Sequence, residues 1–175
     1  GFENVVRVKL ETAYLKHLTI VGAKERYGDP LPEDVLSRLE FELETIEKMC
    51  AAVMKISFPN GSSPQFGDSK NSRAGAIYKS LRSWAELFNR PDLLYVATEG
   101  KEGIKPEKTA YALKDSGFYS LRSGWHKDAI CMILKCGGNG GYHCQPDNGS
   151  FELFAGGRYL MPDTGCYIYS GDPEN

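Results

Sequence analysis

Apolar residues in the first half of the chain recur at steps of three and four positions, the spacing that places them on one face of an α-helix. The longest run begins after Pro32, which suits a first helical turn, and ends before Pro59. It therefore predicts one long amphipathic helix. Its apolar positions are Val35, Leu36, Leu39, Leu43, Ile46, Met49, Cys50 and Val53.

Two more helices are predicted by the same spacing, one on each side of the long helix. The later one ends before Pro91, and the earlier one ends near the turn Gly28-Asp29-Pro30. Residues 59–68, which are rich in Pro, Gly and Ser, form a loop between the long helix and the later helix. The apolar positions are Ile77, Leu81, Trp84, Ala85 and Phe88 in the later helix, and Leu15, Leu18 and Val21 in the earlier one.

The second half of the chain has short apolar runs separated by turn residues, a pattern typical of antiparallel strands. The composition changes from helical to strand-like between residues 100 and 114, and Gly156-Gly157 suits a hairpin turn. Helices followed by strands predict an α+β fold class. The predicted strands are 118–122, 129–134, 151–154 and 158–161.

The end of the chain does not resemble the end of a complete domain. It stops at Glu174-Asn175, just after a strand and a turn, and few strands are available to close a sandwich. Natural domains usually cover an open sheet edge. We therefore expect the chain to be an internal fragment of a larger protein, with the rest of the same polypeptide as its first partner.

Composition excludes some classes of function. The chain has 175 residues, of which 41% are hydrophobic and 25% are charged, and its formal net charge is −2. Nucleic-acid binders normally carry a basic face, so this charge argues against them, although a local basic cleft could still bind a polyanion. No apolar stretch approaches the roughly 20 residues of a membrane span. The five cysteines include no CxxC pair, which disfavours a zinc ribbon.

The segment 141–149 carries the strongest candidate chemistry. His143 is the kind of side chain that most often transfers protons near neutral pH. On an extended segment Gln145 and Asp147 would project to the same side as His143, whereas Cys144 would point away from it and could not use it as a base. Imidazole, amide and carboxylate groups together suit a metal ion such as calcium, zinc or manganese. The alternative, that Asp147 belongs to residues that cap a turn, stays open.

Two other residues and one other class of protein enter as candidates. Asp163 follows a proline at the end of a predicted strand, and Tyr14 lies on a helix face, where an aromatic residue usually packs. His143-x-Gln145 followed by Glu152 also resembles the metal motif of cupin-like barrels. However, the histidine of the second cupin motif is absent, and the helical half of the chain does not fit a cupin barrel. A cupin-like or non-catalytic metal- or carbohydrate-binding β-module is therefore kept only as the alternative interpretation.

Several segments together, in one order from about Tyr14 to Asp172, carry a family resemblance. The chain resembles the heparinase II/III type of polysaccharide lyase, and most closely its heparinase III (heparan-sulfate lyase) branch. The segments are Phe58-Pro59, Ser63-Pro64-Gln65-Phe66-Gly67-Asp68-Ser69, Gly117-Phe118-Tyr119-Ser120-Leu121-Arg122-Ser123-Gly124-Trp125, His143 with Gln145-Pro146-Asp147-Asn148-Gly149-Ser150-Phe151-Glu152-Leu153, and Met161-Pro162-Asp163-Thr164-Gly165.

The resemblance implies a fold and a reaction. Residues 1–113 would be the end of an incomplete α/α toroid, and residues 114–175 would be the first antiparallel strands of a β-sandwich. The enzyme would cleave heparan sulfate or similar glycosaminoglycans by β-elimination, giving unsaturated uronates. As in bacterial members of the family, it would be periplasmic or secreted.

The resemblance also implies roles for particular residues. His143 and Tyr14 would be the catalytic pair, with Tyr14 assigned by its spacing rather than by its local sequence. Gln145 and Asp163 would bind a structural divalent metal, calcium, manganese or zinc. Apart from the resemblance, Arg122 is a candidate to bind substrate sulfates, because a guanidinium can bind an anion at two points, although an exposed, solvated charge is the competing interpretation. The family's catalytic Asn would precede Gly1, so the 175 residues alone are expected to be inactive.

Overall fold

The computed structural model describes residues 33–69, 72–138 and 146–165. The chain forms two compact units, Gly1–Ala51 and Ala52–Asn175. Helix α1 comprises Glu33–Lys55, which confirms the long helix predicted from apolar spacing. In the first unit Ile46 and Cys50 on this helix are buried. The helix predicted around Leu15 lies outside the described residues.

Two shorter helices follow in the second unit. Helix α2 comprises Tyr78–Phe88 and confirms the second predicted helix, while α3 comprises Pro91–Ala97. Asn89 ends α2 in the left-handed conformation, with a φ of 50°, and donates its N–H to the carbonyl of Ala85. Helix α3 was not predicted because Pro91, interpreted above as a stop signal, instead begins a new helix. Among the described residues no helix has the length and apolarity that crossing a membrane requires.

The strands form one antiparallel sheet in which each strand pairs with the next along the chain. The prediction of an α+β fold, helices first and strands afterwards, is therefore confirmed. The bounds are β1 Ala110–Leu113, β2 Phe118–Arg122, β3 Cys131–Lys135, β4 Phe151–Ala155 and β5 Arg158–Met161.

Three of the strands begin at the predicted residue, and two differ from the prediction. Strand β3 starts at Cys131 rather than at residue 129. Strand β1 was missed, because four residues of sequence Ala-Tyr-Ala-Leu give a weak alternating signal. Strand β1 lies just before the predicted domain boundary at residues 113/114 and pairs with β2. The boundary itself stays a prediction.

An aromatic cluster forms the core between the sheet and the loop that follows α1. Phe58 and Phe66 come from that loop, and the sheet contributes Cys131, Ile133 and Phe154. The rings of Phe58 and Phe154 have centroids 6.0 Å apart. Aromatic pairs at this spacing stabilise a core beyond the effect of buried area alone. The cluster fixes residues 58–66 against the sheet.

The other face of the sheet is largely apolar and exposed within the described residues. Leu121 is 50% exposed, whereas its neighbour Arg122 is only 8% exposed. Strand side chains alternate between faces, so the buried face of β2 is the one that carries Ser120 and Arg122. The largest exposed apolar side chains on and beside the strands are Leu121, Ile130, Phe151, Leu160 and Met161.

Candidate active site

The predicted site residues divide between described and undescribed parts of the chain. Tyr14, His143 and Gln145 lie outside the described residues, so their roles stay predictions. Arg122 and Asp163 are described, as are the segments on both sides of His143.

Hydrogen bonds tie the loop of residues 62–69, here named the Gln65 loop, to β4 and to the segment before it. The Gln65 backbone N–H donates to Oε1 of Glu152 at 2.6 Å. The Gly67 N–H donates to Oδ2 of Asp147 at 2.5 Å. In both bonds a carboxyl oxygen accepts a backbone N–H, and such bonds are stronger than neutral ones when the carboxyl group is ionised. Two segments that carry the family resemblance thus lie against each other in space.

A turn closes the base of the connection that carries His143. This connection joins β3 to β4, and Oδ1 of Asn148 accepts a hydrogen bond from the N–H of Gly137 at 3.0 Å. The Gly149 N–H donates to the carbonyl of Lys135, and the Ser150 N–H donates to the carbonyl of Asp147. Asp147 and Asn148 therefore take part in a turn, while the Asp147 carboxylate also holds the Gln65 loop.

Glu152 is buried and binds the Gln65 loop. Its sequence motifs did not predict this structural role. The residue has no exposed surface, and its Oε2 has no hydrogen-bond partner among the described residues. Burial raises the pKa of Glu152, and the backbone amides of Gln65 and Asp163 partly offset the rise. The negative charge of Asp163 raises this pKa further.

Asp163 lies at the end of β5, close to the Gln65 loop. Its Oδ1 accepts the N–H of Gly165 at 2.7 Å. A Cβ atom at Gly165 would lie 2.8 Å from the Ser69 carbonyl oxygen and 3.2 Å from Gln65 Oε1, and the φ there is +61°. Glycine is needed at this position because the backbone approaches so closely. The end of β5, the Gln65 loop and Glu152 therefore form one packed group.

Tyr159 makes a third link between the sheet and the Gln65 loop. Its hydroxyl shares a hydrogen bond with Oγ of Ser62, and Ser62 is also bonded to Oδ1 of Asn60. The Tyr159 ring packs edge-on against Phe58, with centroids 5.1 Å apart. Burial raises the pKa of Tyr159, so this phenol stays protonated at neutral pH.

Arg122 occupies a different environment from the exposed one considered in the sequence. Its Nη2 donates to the carbonyls of Lys55, at 3.0 Å, and Ser57, at 2.9 Å. Its guanidinium lies 3.9 Å from the centre of the Trp125 ring. The interpretation as a solvated surface charge is wrong, because the residue is 8% exposed and holds the end of α1 against the sheet. Sulfate binding by Arg122 stays a prediction.

The described residues alone do not form a complete metal site. They contain no group of three or more His, Cys, Asp and Glu side chains placed to hold a metal ion. Asp163 and the buried Glu152 lie close enough to affect each other electrostatically, but Gln145 is outside the described residues. The predicted metal on Gln145 and Asp163 therefore remains untested.

Two family models match the chain in consecutive order. Residues 39–95 match "Heparinase II/III N-terminus", and residues 105–175 match "Heparinase II/III-like, C-terminal". The first match covers most of α1 together with α2, and the second covers the whole sheet. The order of helices and then sheet in the structure agrees with the order of these two models.

Curated relatives and solved structures that are similar to this chain are also heparin-sulfate or heparan sulfate lyases. A "Heparin-sulfate lyase" of Bacteroides stercoris is 41% identical over 133 residues, which are 75% of this chain and 20% of that protein. One of Pedobacter heparinus is 44% identical over 131 residues, 74% of this chain and 20% of the relative. The crystal structure of heparan sulfate lyase HepC from Pedobacter heparinus matches with a TM-score of 0.78 and 35% identity, over 98% of this chain and 25% of that one. The chain thus spans about a fifth of the length of the curated relatives it matches.

Proposed function

The chain belongs to the heparinase II/III family, and we propose that its protein is a polysaccharide lyase that cleaves heparan sulfate or heparin-like glycosaminoglycans. Its helices and strands correspond to the end of the α/α toroid and the start of the β-sandwich of that family. The reaction is β-elimination at a uronic acid, which yields an unsaturated uronate. Because the chain spans only part of its relatives, this activity is proposed for the whole protein.

One structural observation carries the proposal beyond similarity of sequence. The Gln65 loop and the segment after His143 are separated by roughly eighty residues in the sequence. Even so, Asp147 accepts a hydrogen bond from the Gly67 N–H, and Glu152 accepts one from the Gln65 N–H. These contacts join a loop of the helical half to the sheet segment that follows the candidate base. This fixed junction supports the proposal, because catalytic groups must be held in a defined geometry.

In the proposed mechanism the C5 proton of the uronate is removed and the bond to the leaving oxygen breaks. That proton is weakly acidic because the adjacent carboxylate is already negative, so groups that stabilise developing charge are needed. His143, as a neutral imidazole, is the base, and Tyr14 donates a proton to the leaving oxygen. A tyrosine with an ordinary pKa of about 10 remains a proton donor at neutral pH.

A divalent metal is proposed to be structural rather than catalytic. Asp163 and Gln145 would hold it through oxygen atoms, the ligands that calcium and manganese prefer. The orphaned Oε2 of the buried Glu152, near Asp163, supports a nearby positive charge in the folded protein. Such an ion would neutralise the carboxylates and fix the end of β5, while proton transfer is left to His143 and Tyr14.

The proposal is tested with the full-length protein and heparan sulfate, heparin and an unsulfated uronic polymer. The unsaturated product absorbs in the ultraviolet, so its formation is followed directly. We expect His143→Ala to abolish product formation and His126→Ala, in an exposed turn, to leave the rate within about twofold. Unchanged turnover by His143→Ala would exclude His143 as the base.

The same experiment separates the lyase from the alternative of a non-catalytic or cupin-like binding module. Such a module would bind the polymers without releasing any unsaturated product, in the unsubstituted protein as well as in the variants. Since the relatives come from bacteria, we also propose that the protein is periplasmic or secreted. Cell fractionation with detection of the protein tests that location.

A further inference from the structure

An open cavity of about 350 Å³ lies in the second unit, where the start of α3 faces the segment that leads into β1. One wall is the start of α3 with Arg90 and Pro91, the other is the segment before β1 with Lys105 and Lys108, and Tyr111 of β1 also lines the cavity. None of these residues belongs to the proposed catalytic or metal-binding set. The cavity is at the lower end of the volumes that bind small ligands.

Backbone contacts hold the two walls in place. The Ile104 N–H donates to the carbonyl of Pro91 at 3.0 Å. Next to it Gly103 has a φ of +87°, and a Cβ atom there would lie 2.2 Å from the Pro91 carbonyl oxygen. Only glycine allows this approach. On the other wall Arg90 forms a two-point ion pair with Asp92, with contacts of 2.8 and 2.6 Å.

The backbone at Lys108 is fixed independently of its side chain. Its carbonyl accepts hydrogen bonds from the Tyr111 hydroxyl, at 3.1 Å, and from Nε1 of Trp125, at 3.0 Å. The rings of Tyr111 and Trp125 meet edge to face at 6.3 Å. Lys105 and Lys108 are both exposed residues. Among the described residues neither lysine forms an ion pair with a carboxylate.

Cationic side chains outnumber carboxylates by one around this cavity. The Lys55 ammonium lies 5.6 Å from the centre of the Tyr111 ring. Burial lowers the pKa of Lys55, and the charges of Arg90 and Lys108 lower it further, with Asp92 acting in the opposite direction. Asp92 and Glu107 line the cavity together with Arg90, Lys105 and Lys108, so three cations there accompany two carboxylates. An anion in the cavity would relieve the repulsion among Lys55, Arg90 and Lys108.

We propose that this cavity is an auxiliary binding site for an anionic oligosaccharide segment. Its sulfate or carboxylate groups bind Lys105 and Lys108, and a sugar ring lies against Tyr111 and the exposed Ile104. Exposed ammonium groups suit anions, while the aromatic and aliphatic walls suit the apolar face of a sugar. The inference rests on the proposed function for the identity of the ligand, a sulfated glycosaminoglycan, and adds a contact outside the catalytic residues.

The test uses the full-length protein carrying His143→Ala, which is expected to prevent cleavage, and a heparin octasaccharide as the probe. The variant Lys105→Glu/Lys108→Glu is compared by isothermal titration calorimetry with Lys101→Glu/Lys114→Glu, an equal change of charge at exposed lysines that do not line the cavity. We expect the first pair to weaken binding about tenfold, and the second pair no more than about twofold. Circular dichroism of both variants verifies folding.

An equal loss of affinity in both pairs would show that only net charge matters and would overturn the proposal, as would no loss in the first pair. Loss of binding to single-stranded DNA in parallel with loss of octasaccharide binding would show a general polyanion surface and would also overturn it. Failure of the lyase proposal is seen separately, as absence of unsaturated product from the protein with His143 intact. The calorimetric comparison is interpretable in either case.

Discussion

Glu152 Oε1 lies 2.6 Å from the backbone nitrogen of Gln65, so a fully buried carboxylate of β4 binds the loop that follows α1. The two residues are 87 positions apart in the chain. Nearby, Asp147 binds Gly67 in the same manner, and Gly165 packs against the Gln65 side chain. The carboxylates thus act as cross-links between the helical half and the sheet, next to the segment that carries His143.

Replacing Glu152 by Ala should lower the free energy of unfolding by about 2–4 kcal/mol. The Gln65 N–H would lose its acceptor in a buried site, and the side chain would leave a cavity. Urea denaturation followed by fluorescence measures the change. Glu86→Ala, an exposed position on α2, is the control and should change stability by less than about 0.5 kcal/mol. A Glu152→Ala loss no larger than the control's would refute the cross-link.

Glu152 should also make stability depend on pH in a predictable direction. Burial raises its pKa in the folded protein above the ordinary value of 4.5, so the folded state holds the proton more tightly than the unfolded state. The contribution of this group to stability is therefore greatest below pH 4.5 and falls as pH rises through the folded-state pKa.

Urea midpoints of the protein freed of metal by a chelator, measured between pH 4 and 7, test this sign. The variant Glu152→Gln retains an oxygen acceptor for the Gln65 N–H but cannot ionise. We expect the difference in stability between the variant and the unsubstituted protein to shift in the variant's favour as pH rises. A constant difference over that range would mean that the buried carboxylate does not titrate with a raised pKa.

Replacing Arg122 should lower the stability of the folded protein. Its Nη2 satisfies the carbonyls of Lys55 and Ser57, and its guanidinium stacks on Trp125. Arg122→Met keeps much of the side chain's length but leaves both carbonyls without this donor, so we expect a loss of about 2 kcal/mol in the free energy of unfolding. Lys127→Met, at a position that is 76% exposed, should cost less than about 0.5 kcal/mol.

Kinetics decide whether Arg122 also binds sulfate. A purely structural role predicts that, at a temperature where the variant is folded, KM for sulfated and unsulfated polymers changes in the same proportion. A selective rise of KM for the sulfated polymer would instead support the predicted contact between Arg122 and substrate sulfate.

Local patterns in the sequence predicted most of the elements. The apolar spacing of α1 and α2 and the Gly156-Gly157 turn between β4 and β5 depend on neighbouring residues only, so they could be identified without the structure. Strand β1 gave only a weak alternating signal, and helix α3 was missed because Pro91 was interpreted as a stop signal. The α+β class followed from the order of the longer elements.

The faces of the sheet could not be assigned from hydrophobicity. Leu121 is 50% exposed and Phe151 is 40% exposed, whereas their neighbours Arg122 and Glu152 are 8% and 0% exposed. Alternation gives two faces but does not say which one packs against the loop after α1. The buried face carries the ionisable side chains of Arg122 and Glu152 because backbone groups of residues far away in the sequence form hydrogen bonds with them. Contacts of that kind leave no local pattern, so the environments of Arg122 and Glu152 required the structure.

Metal binding is expected to depend on Asp163 and Gln145. After extensive dialysis, elemental analysis of the full-length protein should find a tightly held divalent ion, and Asp163→Asn and Gln145→Ala should each reduce it. Asp115→Asn, an exposed carboxylate between β1 and β2, is the matched control and should retain the metal.

Thermal unfolding adds a readout that does not require activity. A ligand that binds only the folded state raises its stability, so a chelator should lower the melting temperature of the unsubstituted protein. The same chelator should leave Asp163→Asn nearly unchanged, because the variant has already lost the ion. If Asp163→Asn responds to the chelator as strongly as the unsubstituted protein does, then any bound metal is held elsewhere, and Asp163 serves only to bind the N–H of Gly165.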